Sequence, residues 1–100
     1  MAITIGKVSK EIEALRAARP GTAIKGLQPG EVKKIRQQLQ ATLAADSMVD
    51  LIDNHPGWDI HRYHGDERIW SFKVGSATRL LMNWDADRKE VWDVKFDNPH

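Results

Sequence analysis

The first half of the chain has apolar residues at helical spacing. Intervals of three and four separate them from Ile5 to Leu15, which predicts one apolar stripe along a helix: Ile5, Val8, Ile12 and Leu15. Pro20-Gly21 is expected to end this helix. A second helix is predicted after Pro29-Gly30, and its inner face would be formed by Val32, Ile35, Leu39 and Leu43.

A short third helical turn is predicted over Ser47 to Asp53. Ser47 is a suitable N-cap, and Asp50 follows three residues later. The sequence Asn54-His55-Pro56-Gly57 then breaks the helix. Ahead of the first helix, Ala2 to Ile5 is either a small strand or the lead-in to the helix, and we favour the strand.

The second half of the chain has the composition of strands. All the aromatic residues follow Pro56, and aromatic residues favour strands, whereas the Ala-, Gln-, Glu- and Lys-rich first half favours helices. Four strands are predicted, near Trp58–His64, Arg68–Val74, Thr78–Trp84 and Glu90–Phe96. The turns between them are too short for a crossover, so neighbouring strands must be antiparallel. The expected fold is α+β, with two N-terminal helices packed on one face of a curved antiparallel sheet.

Alternation along these strands predicts one apolar and one polar face. The apolar face would carry Trp70, Phe72, Val74, Leu80, Met82, Trp84, Trp92, Val94 and Phe96. On the polar face, Arg79 lies mid-strand, where strand propensity favours Val or Thr. Lys73 and Lys95 are close to it, and this clustering of like charges costs stability unless an anion is bound. The cluster therefore predicts a phosphate site; the alternatives are a merely solvated face, or an ion pair between Arg79 and Asp93.

Composition narrows the possible functions. The formal net charge is +1, from 15 Lys and Arg against 14 Asp and Glu, which excludes a strongly basic nucleic-acid-wrapping protein. The absence of cysteine excludes disulfides, thiolate metal sites and cysteine nucleophiles. No apolar run approaches the roughly 20 residues that span a bilayer, and the N-terminal segment has no apolar signal-peptide core. We therefore expect a cytoplasmic protein with one domain over residues 1–100.

Charge is unevenly distributed despite this overall balance. From Lys7 to Gln40 there are eight cations and three anions, an excess of +5. This excess includes Lys33, Lys34 and Arg36 of the second helix, and it could dock on ribosomal RNA phosphates. A solvated helix face is the alternative.

A series of spaced residues runs through the two central strands of the predicted sheet. It consists of Trp70-Ser71-Phe72-Lys73-Val74-Gly75, Arg79-Leu80, Met82 and Trp84. Its spacing resembles, without a gap, the signature of HigB-type toxins of the RelE/ParE superfamily. Upstream, His55-Pro56-Gly57 and His64-Gly65-Asp66 resemble the family's P-P-G and K-G-D landmarks. Thr78 replaces an aromatic residue of the family pattern, and Pro99 replaces a tyrosine that precedes the final histidine in many members.

The resemblance implies the toxin of a type II toxin–antitoxin system, a ribosome-dependent endoribonuclease that cleaves mRNA by metal-free attack of the 2′-hydroxyl. In that role Arg79 would stabilise charge on the phosphate and Lys73 would bind phosphate, while His64 and His100 would transfer protons. Further RNA contacts are expected from Lys95, Arg62, Lys33, Lys34 and Arg36. Trp58 or Tyr63 could stack an mRNA base. No cofactor is expected; the implied partners are the ribosome, mRNA and a cognate antitoxin, commonly of the helix-turn-helix type, and no membrane.

Two other functions stay open at this point. The altered C-terminus and the missing tyrosine favour a ParE-like inhibitor, for example of DNA gyrase, that cleaves nothing. A catalytically decayed toxin that only binds its antitoxin is the other possibility. His61 and His64 form a weak metal-binding pair without an evident third ligand, so no metal site is predicted.

Overall fold

The computed structural model describes residues 2–63 and 66–98, apart from the side chain of Glu67. The helices are α1 (Lys10–Ala17), α2 (Pro29–Ala44) and α3 (Met48–Asn54), and a 3₁₀ turn covers Pro56–Trp58. The strands are β1 (Thr4–Ile5), β2 (His61–Tyr63), β3 (Asp66–Lys73), β4 (Arg79–Asp85) and β5 (Glu90–Asp97). They form one sheet in the order β1-β5-β4-β3-β2, so the predicted α+β class is confirmed.

The helices begin where local capping signals place them. The Ser9 hydroxyl accepts a hydrogen bond from the Ile12 N–H at 3.2 Å and caps α1. Pro29 opens α2, where its missing N–H costs nothing. The Ser47 hydroxyl accepts from the Asp50 N–H at 3.2 Å and caps α3, as predicted.

The first helix is shorter than its apolar stripe predicts. Ile5 belongs to β1, and Val8 forms an isolated parallel bridge with Val94. Their backbone groups bond to β5 rather than along a helix: the Gly6 N–H, for example, donates to the Val91 carbonyl at 2.8 Å. The favoured strand near the N-terminus is therefore confirmed for Thr4–Ile5.

The buried stripe of α2 departs from the prediction at its C-terminal end. Leu43 is 42% exposed, whereas Gln38 and Thr42 are fully buried. The Gln38 side-chain amide donates to the Lys73 carbonyl at 2.8 Å, and the Thr42 hydroxyl donates to the Gln38 carbonyl at 2.8 Å. Gln38 therefore has a partner at the end of β3 and Thr42 has one within α2, and these two residues occupy the inner position while Leu43 faces outward.

A second polar contact joins the start of α2 to the β3–β4 turn. The Thr78 hydroxyl, which is buried, donates to the Glu31 carboxylate. The other oxygen of that carboxylate accepts from the Gln28 N–H at 2.8 Å. Thr78 therefore has a structural partner that an aromatic residue at this position would lack.

The sheet is mixed rather than fully antiparallel. Strands β2 to β5 pair antiparallel as predicted, but β1 pairs with β5 in parallel. The segment after α3 also differs, because Trp58 lies in the 3₁₀ turn and β2 starts only at His61. Within β3 and β4, the pairs Trp70–Met82 and Phe72–Leu80 confirm the predicted apolar face.

A β-bulge in β5 changes the face on which Trp92 lies. Leu81 pairs with Lys95 and Asn83 pairs with Trp92, so β5 has one extra residue over this stretch. Asp93 has a left-handed backbone with φ of 50°. Val91 and Val94 are consequently both buried, and Trp92 shares the face of Asn83. The prediction that Trp92 faces the core is wrong, because the bulge shifts the alternation by one residue.

One apolar core joins the helices to one face of the sheet. Its buried members are Ile3, Ile12, Leu15, Ile24, Val32, Ile35, Leu39, Met48, Leu51, Phe72, Leu80, Met82, Val91 and Val94. Burial of each large side chain stabilises the fold by about 1.5–3 kcal/mol. The opposite face is called the outer face below. No helix in the described part of the chain is long and apolar enough to cross a membrane.

Candidate functional site on the outer face of the sheet

The outer face carries a cluster of polar side chains centred on Arg79. Strand register places Arg79 between Lys73 of β3 and Asp97 of β5 in one row. The neighbouring row contains His61, Ser71, Leu81 and Lys95. The predicted grouping of Lys73, Arg79 and Lys95 on one face is therefore confirmed.

The Arg79 guanidinium is fixed by three neighbouring residues. Its Nε donates to the Ser71 hydroxyl at 2.5 Å, and Nη2 donates to the Ser71 carbonyl at 3.3 Å. On its outer edge, Nη1 donates to the Asp59 carboxylate at 3.3 Å and Nη2 to the Asp59 carbonyl at 2.9 Å. Nη2 also lies 3.0 Å from Nε2 of His61. The alternative pairing of Arg79 with Asp93 is wrong, because the strand register places Asp97 opposite Arg79 and the ion pair of Arg79 is with Asp59.

Asp59 owes its position to the 3₁₀ turn that precedes it. Pro56 and Gly57 start this turn, and Asp59 ends it in a left-handed conformation with φ of 47° and ψ of 53°. Aspartate tolerates this region better than most residues do. The conformation directs both its carbonyl and its carboxylate towards Arg79.

The His61 ring has contacts at both of its nitrogens. Its Nδ1 lies 2.8 Å from the Arg62 carbonyl, which can only accept a hydrogen bond, so Nδ1 carries a proton. Its Nε2 lies 3.0 Å from Nη2 of Arg79 and 3.7 Å from the Asp59 carboxylate. The neutral ring accepts a hydrogen bond from Arg79 at Nε2, whereas the protonated ring pairs with Asp59 there, so the role of Nε2 depends on the tautomer.

The outer face is concave. The Tyr63 hydroxyl on β2 donates to the Asp97 carboxylate on β5 at 3.2 Å, although β3 and β4 lie between these strands. Three strand spacings in a flat sheet amount to about 14 Å, which is further than a tyrosine and an aspartate side chain can jointly reach. The sheet must therefore curl towards this face, and Leu81 at its centre is only 3% exposed. The hydrogen bond and the charge of Asp97 raise the pKa of Tyr63 above its usual value.

Three cations, Lys73, Arg79 and Lys95, and two carboxylates, Asp59 and Asp97, lie on the concave face. Lys73 and Lys95 are exposed, and within the described part of the chain neither has an ion-pair partner. The side chain of Arg79 is 24% exposed, and that of its partner Asp59 is 62% exposed. Exposed ion pairs contribute only about 0–1 kcal/mol, so a phosphate held by the neighbouring lysines can replace the Asp59 carboxylate.

The other predicted RNA-contacting residues lie elsewhere. Arg62 pairs with Trp70, so it points to the opposite face, where its guanidinium stacks over the Trp70 ring at 5.5 Å. Lys33, Lys34 and Arg36 lie on α2; Lys34 is 5.6 Å from the Trp58 ring. The structure thus does not bring these four cations into the cluster around Arg79. His64 and His100 lie outside the described residues.

The two predicted stacking residues differ in their surroundings. Trp58 stacks on His55 with ring centroids 3.8 Å apart and packs against the core, which fits a structural role for both residues. Tyr63 lies over the concave face. Sequence reasoning missed Asp59 and His61 as members of the cluster. The alternation of His61 with Tyr63 in one strand was an available signal, whereas nothing local pointed to Asp59.

Comparison with protein-family models and with curated proteins gives no match. Among the described residues, no three His, Cys, Asp or Glu side chains lie together as a metal site requires. The cluster combines a guanidinium held by hydrogen bonds, an imidazole beside it, and two lysines that have no ion-pair partner among the described residues.

Proposed function

We propose that the protein is a ribosome-dependent endoribonuclease and acts as the toxin of a type II toxin–antitoxin system in the cytoplasm. The observation that carries this proposal is the 3.0 Å contact between the Arg79 guanidinium and Nε2 of His61 inside a concave, lysine-flanked face. A phosphate-binding cation beside a proton acceptor is the minimum that RNA cleavage needs.

In this reaction the RNA 2′-hydroxyl attacks the adjacent phosphate. Nε2 of His61 accepts the 2′-hydroxyl proton, the new bond forms between the 2′-oxygen and phosphorus, and the bond to the 5′-oxygen breaks. Arg79 stabilises the extra negative charge on the phosphorane with its planar pair of N–H groups. The departing 5′-oxygen takes a proton from His64 or His100, whose roles rest on the family resemblance alone. The products are a 2′,3′-cyclic phosphate and a free 5′-hydroxyl.

Substrate binding changes the contacts that the Arg79 guanidinium makes with Asp59 and His61. The phosphate takes the place of the Asp59 carboxylate, and Nε2 of His61 exchanges Arg79 for the 2′-hydroxyl. The bond from Nε of Arg79 to the Ser71 hydroxyl holds the guanidinium in place during this exchange. Lys73 and Lys95 bind the flanking phosphates, and Tyr63 offers a ring for base stacking.

The cations of α2 fit a different part of the same task. Lys33, Lys34 and Arg36 lie on α2, outside the cluster around Arg79, and belong to the cation-rich first half of the chain. Lys33 and Lys34 serve as contacts to ribosomal RNA while the outer face engages mRNA. Arg36 is less suited to this role, because its Nη1 donates to the Ala18 carbonyl at 3.3 Å and its Nη2 is buried. Arg62 has no place in this arrangement because it points to the other face of the sheet.

The decisive experiment is toeprinting on translating ribosomes with purified variants. Arg79→Ala should reduce the mRNA cleavage rate by about 10²–10³-fold, the usual cost of removing one donor that stabilises the transition state. Arg79→Lys should also fail, because an ammonium cannot reproduce the guanidinium fork. Arg88→Ala is the matched control, since Arg88 is 72% exposed and lies in the β4–β5 turn; it should cleave normally.

Circular dichroism melting confirms that each variant is folded before rates are compared. Cleavage by Arg79→Ala at the wild-type rate would contradict the proposed role of the guanidinium. Absence of cleavage by the wild-type protein on actively translating ribosomes would contradict the enzyme altogether.

One observation favours a second candidate function. Arg79 already has a full set of partners in Ser71, Asp59 and His61, which is what a structural arginine requires. On that basis the alternative is a ParE-like inhibitor that binds its target without cleaving RNA. Intact mRNA together with inhibited DNA supercoiling by gyrase would support this alternative.

A further inference from the structure

A second site lies at the other end of the sheet, beside α3. It is a groove of about 530 Å³ whose walls include Val49, Ile52, Arg62, Trp70, Trp84 and Trp92. Three of the four tryptophans of the chain meet here, and all three retain exposed surface. None of these residues is among the hydrogen-bond partners of Arg79, which are Ser71, Asp59 and His61, so the groove is described as a separate site.

The groove has the composition of a protein-binding surface. Val49 is 63% exposed, which is the highest value among the large apolar residues in the described part of the chain. Exposed apolar patches of this kind mark interaction sites, and tryptophan and arginine are the residues that most often dominate binding energy at interfaces. The elements that line the groove are rigid, because Trp70 and Trp84 lie in paired strands.

The charges around the groove distinguish a protein partner from RNA. Arg68 is neutralised by Asp66, with Nε and Oδ1 3.3 Å apart, and Asp85 adds a further carboxylate to the wall. A single-stranded nucleic acid requires several free cations along its phosphates, and this groove does not offer them. Arg62 is the exception, because no carboxylate of the described residues pairs with it.

We infer that the groove binds a segment of a partner protein that carries bulky apolar side chains next to one carboxylate. The apolar side chains pack against Val49, Trp84 and Trp92, and the carboxylate pairs with Arg62. The Trp70 ring already holds the Arg62 guanidinium from one side at 5.5 Å, so little side-chain freedom is lost when the ion pair forms. This inference does not depend on the proposed ribonuclease activity.

The test is a selection from random dodecapeptides displayed on phage, with the intact protein as bait and the Val49→Asp variant as counter-selection bait. The enriched peptides should combine Leu, Ile, Phe or Trp with an adjacent Asp or Glu. A synthetic peptide from this set, titrated against tryptophan fluorescence, should bind Val49→Asp about tenfold or more weakly than wild type. It should bind Arg62→Gln several-fold more weakly, and its Asp-to-Asn or Glu-to-Gln analogue should bind wild type and Arg62→Gln equally.

Leu43→Asp is the matched control, because Leu43 is the other exposed large apolar residue in the described part of the chain and lies on α2 outside the groove. This variant should bind the peptide as wild type does. The inference is overturned if no selected peptide distinguishes wild type from Val49→Asp, or if the selected peptides lack acidic residues. Binding of a uridine dodecanucleotide that is lost in Val49→Asp would assign the groove to RNA. Self-association that Val49→Asp abolishes would assign it to a second copy of the chain.

Discussion

At the scale of the single residue, the outer face depends on what only an arginine can do. Arg79 reaches a hydroxyl, two carbonyls, a carboxylate and an imidazole at once. A lysine has three donors on one nitrogen and cannot span contacts on opposite edges of a planar group. The prediction that Arg79 lies mid-strand is wrong, because it is the first residue of β4. Its position is stabilised by contacts from Asp59 and His61, which are remote from it along the chain.

Tyr63 offers a direct measurement of this face, because it is the one tyrosine of the chain. Its hydroxyl donates to the Asp97 carboxylate, and this bond raises the pKa of Tyr63. We expect the ultraviolet absorbance titration of the folded protein to show tyrosinate forming above the usual pH of about 10. In Asp97→Asn the titration should move back towards that value, while the exposed Asp87→Asn should leave it unchanged.

The sign of the pH effect on stability follows from the same contact. The folded-state pKa is raised, so the stabilisation is fully present below about pH 10 and is lost as the pH rises through the folded-state pKa. Identical titrations of wild type and Asp97→Asn would mean that Tyr63 does not cross the concave face in solution.

At the scale of the element, boundaries set by local chemistry were predictable and those set by pairing were not. Ser47 caps α3 and Pro29 opens α2 as their sequences indicate. Ile5 and Val8 fit a helical stripe equally well, yet they pair with β5, because parallel pairing with a distant strand leaves no mark in a local pattern. Leu43 faces outward for a similar reason, since Gln38 finds its acceptor on β3.

The candidate site also has some features that local sequence predicts and others that depend on tertiary contacts. The common face of Lys73, Arg79 and Lys95 was predictable from the sequence, because side chains alternate between the two faces along any strand segment that no bulge interrupts. Asp59 reaches Arg79 only through a left-handed residue after a 3₁₀ turn, and no spacing rule encodes that geometry. The prediction for Trp92 is wrong because one extra residue in β5 inverts the alternation on the N-terminal side of the bulge, while Lys95 and Phe96 beyond it keep their predicted faces.

The bulge in β5 can be tested through Asp93. Its φ of 50° costs a β-branched residue far more than glycine, and its exposed side chain makes packing changes small. We expect Asp93→Val to lower the free energy of unfolding by about 1–2 kcal/mol relative to Asp93→Gly, and Asp93→Gly to stay within about 0.5 kcal/mol of wild type. Urea unfolding followed by tryptophan fluorescence measures both. Equal stability of the two variants would show that the strand runs through this position without a bulge.

At the scale of the whole molecule, the two candidate sites both use strand β4 but lie near its opposite ends. Arg79 begins β4 and Trp84 lies close to its end, so about 17 Å of strand separates them. The radius of gyration is 12.6 Å, which is typical for a chain of this length, and one core lies between the helices and the sheet. Both sites therefore depend on the same core while their side chains interact with different groups.

This separation predicts how stabilities combine. Trp84→Ala removes a large side chain packed against the core and should cost about 2 kcal/mol or more. Combined with Arg79→Ala, its effect on the free energy of unfolding should add within about 0.5 kcal/mol, because residues more than about 10 Å apart without shared partners act independently. Chemical unfolding of the two single variants and the double variant gives all three values.

The matched comparison is a pair in contact. Arg79→Ala and Asp59→Ala both remove the ion pair between the two side chains, so their double variant should be less destabilised than the sum by about 0.5–1 kcal/mol. Additivity in this second pair would mean that Asp59 and Arg79 do not interact in solution, and the carboxylate would then not need to be displaced by phosphate. Strong coupling between Trp84→Ala and Arg79→Ala would instead mean that the groove and the concave face influence each other through β4. A partner bound at the tryptophans would then regulate the proposed chemistry at Arg79.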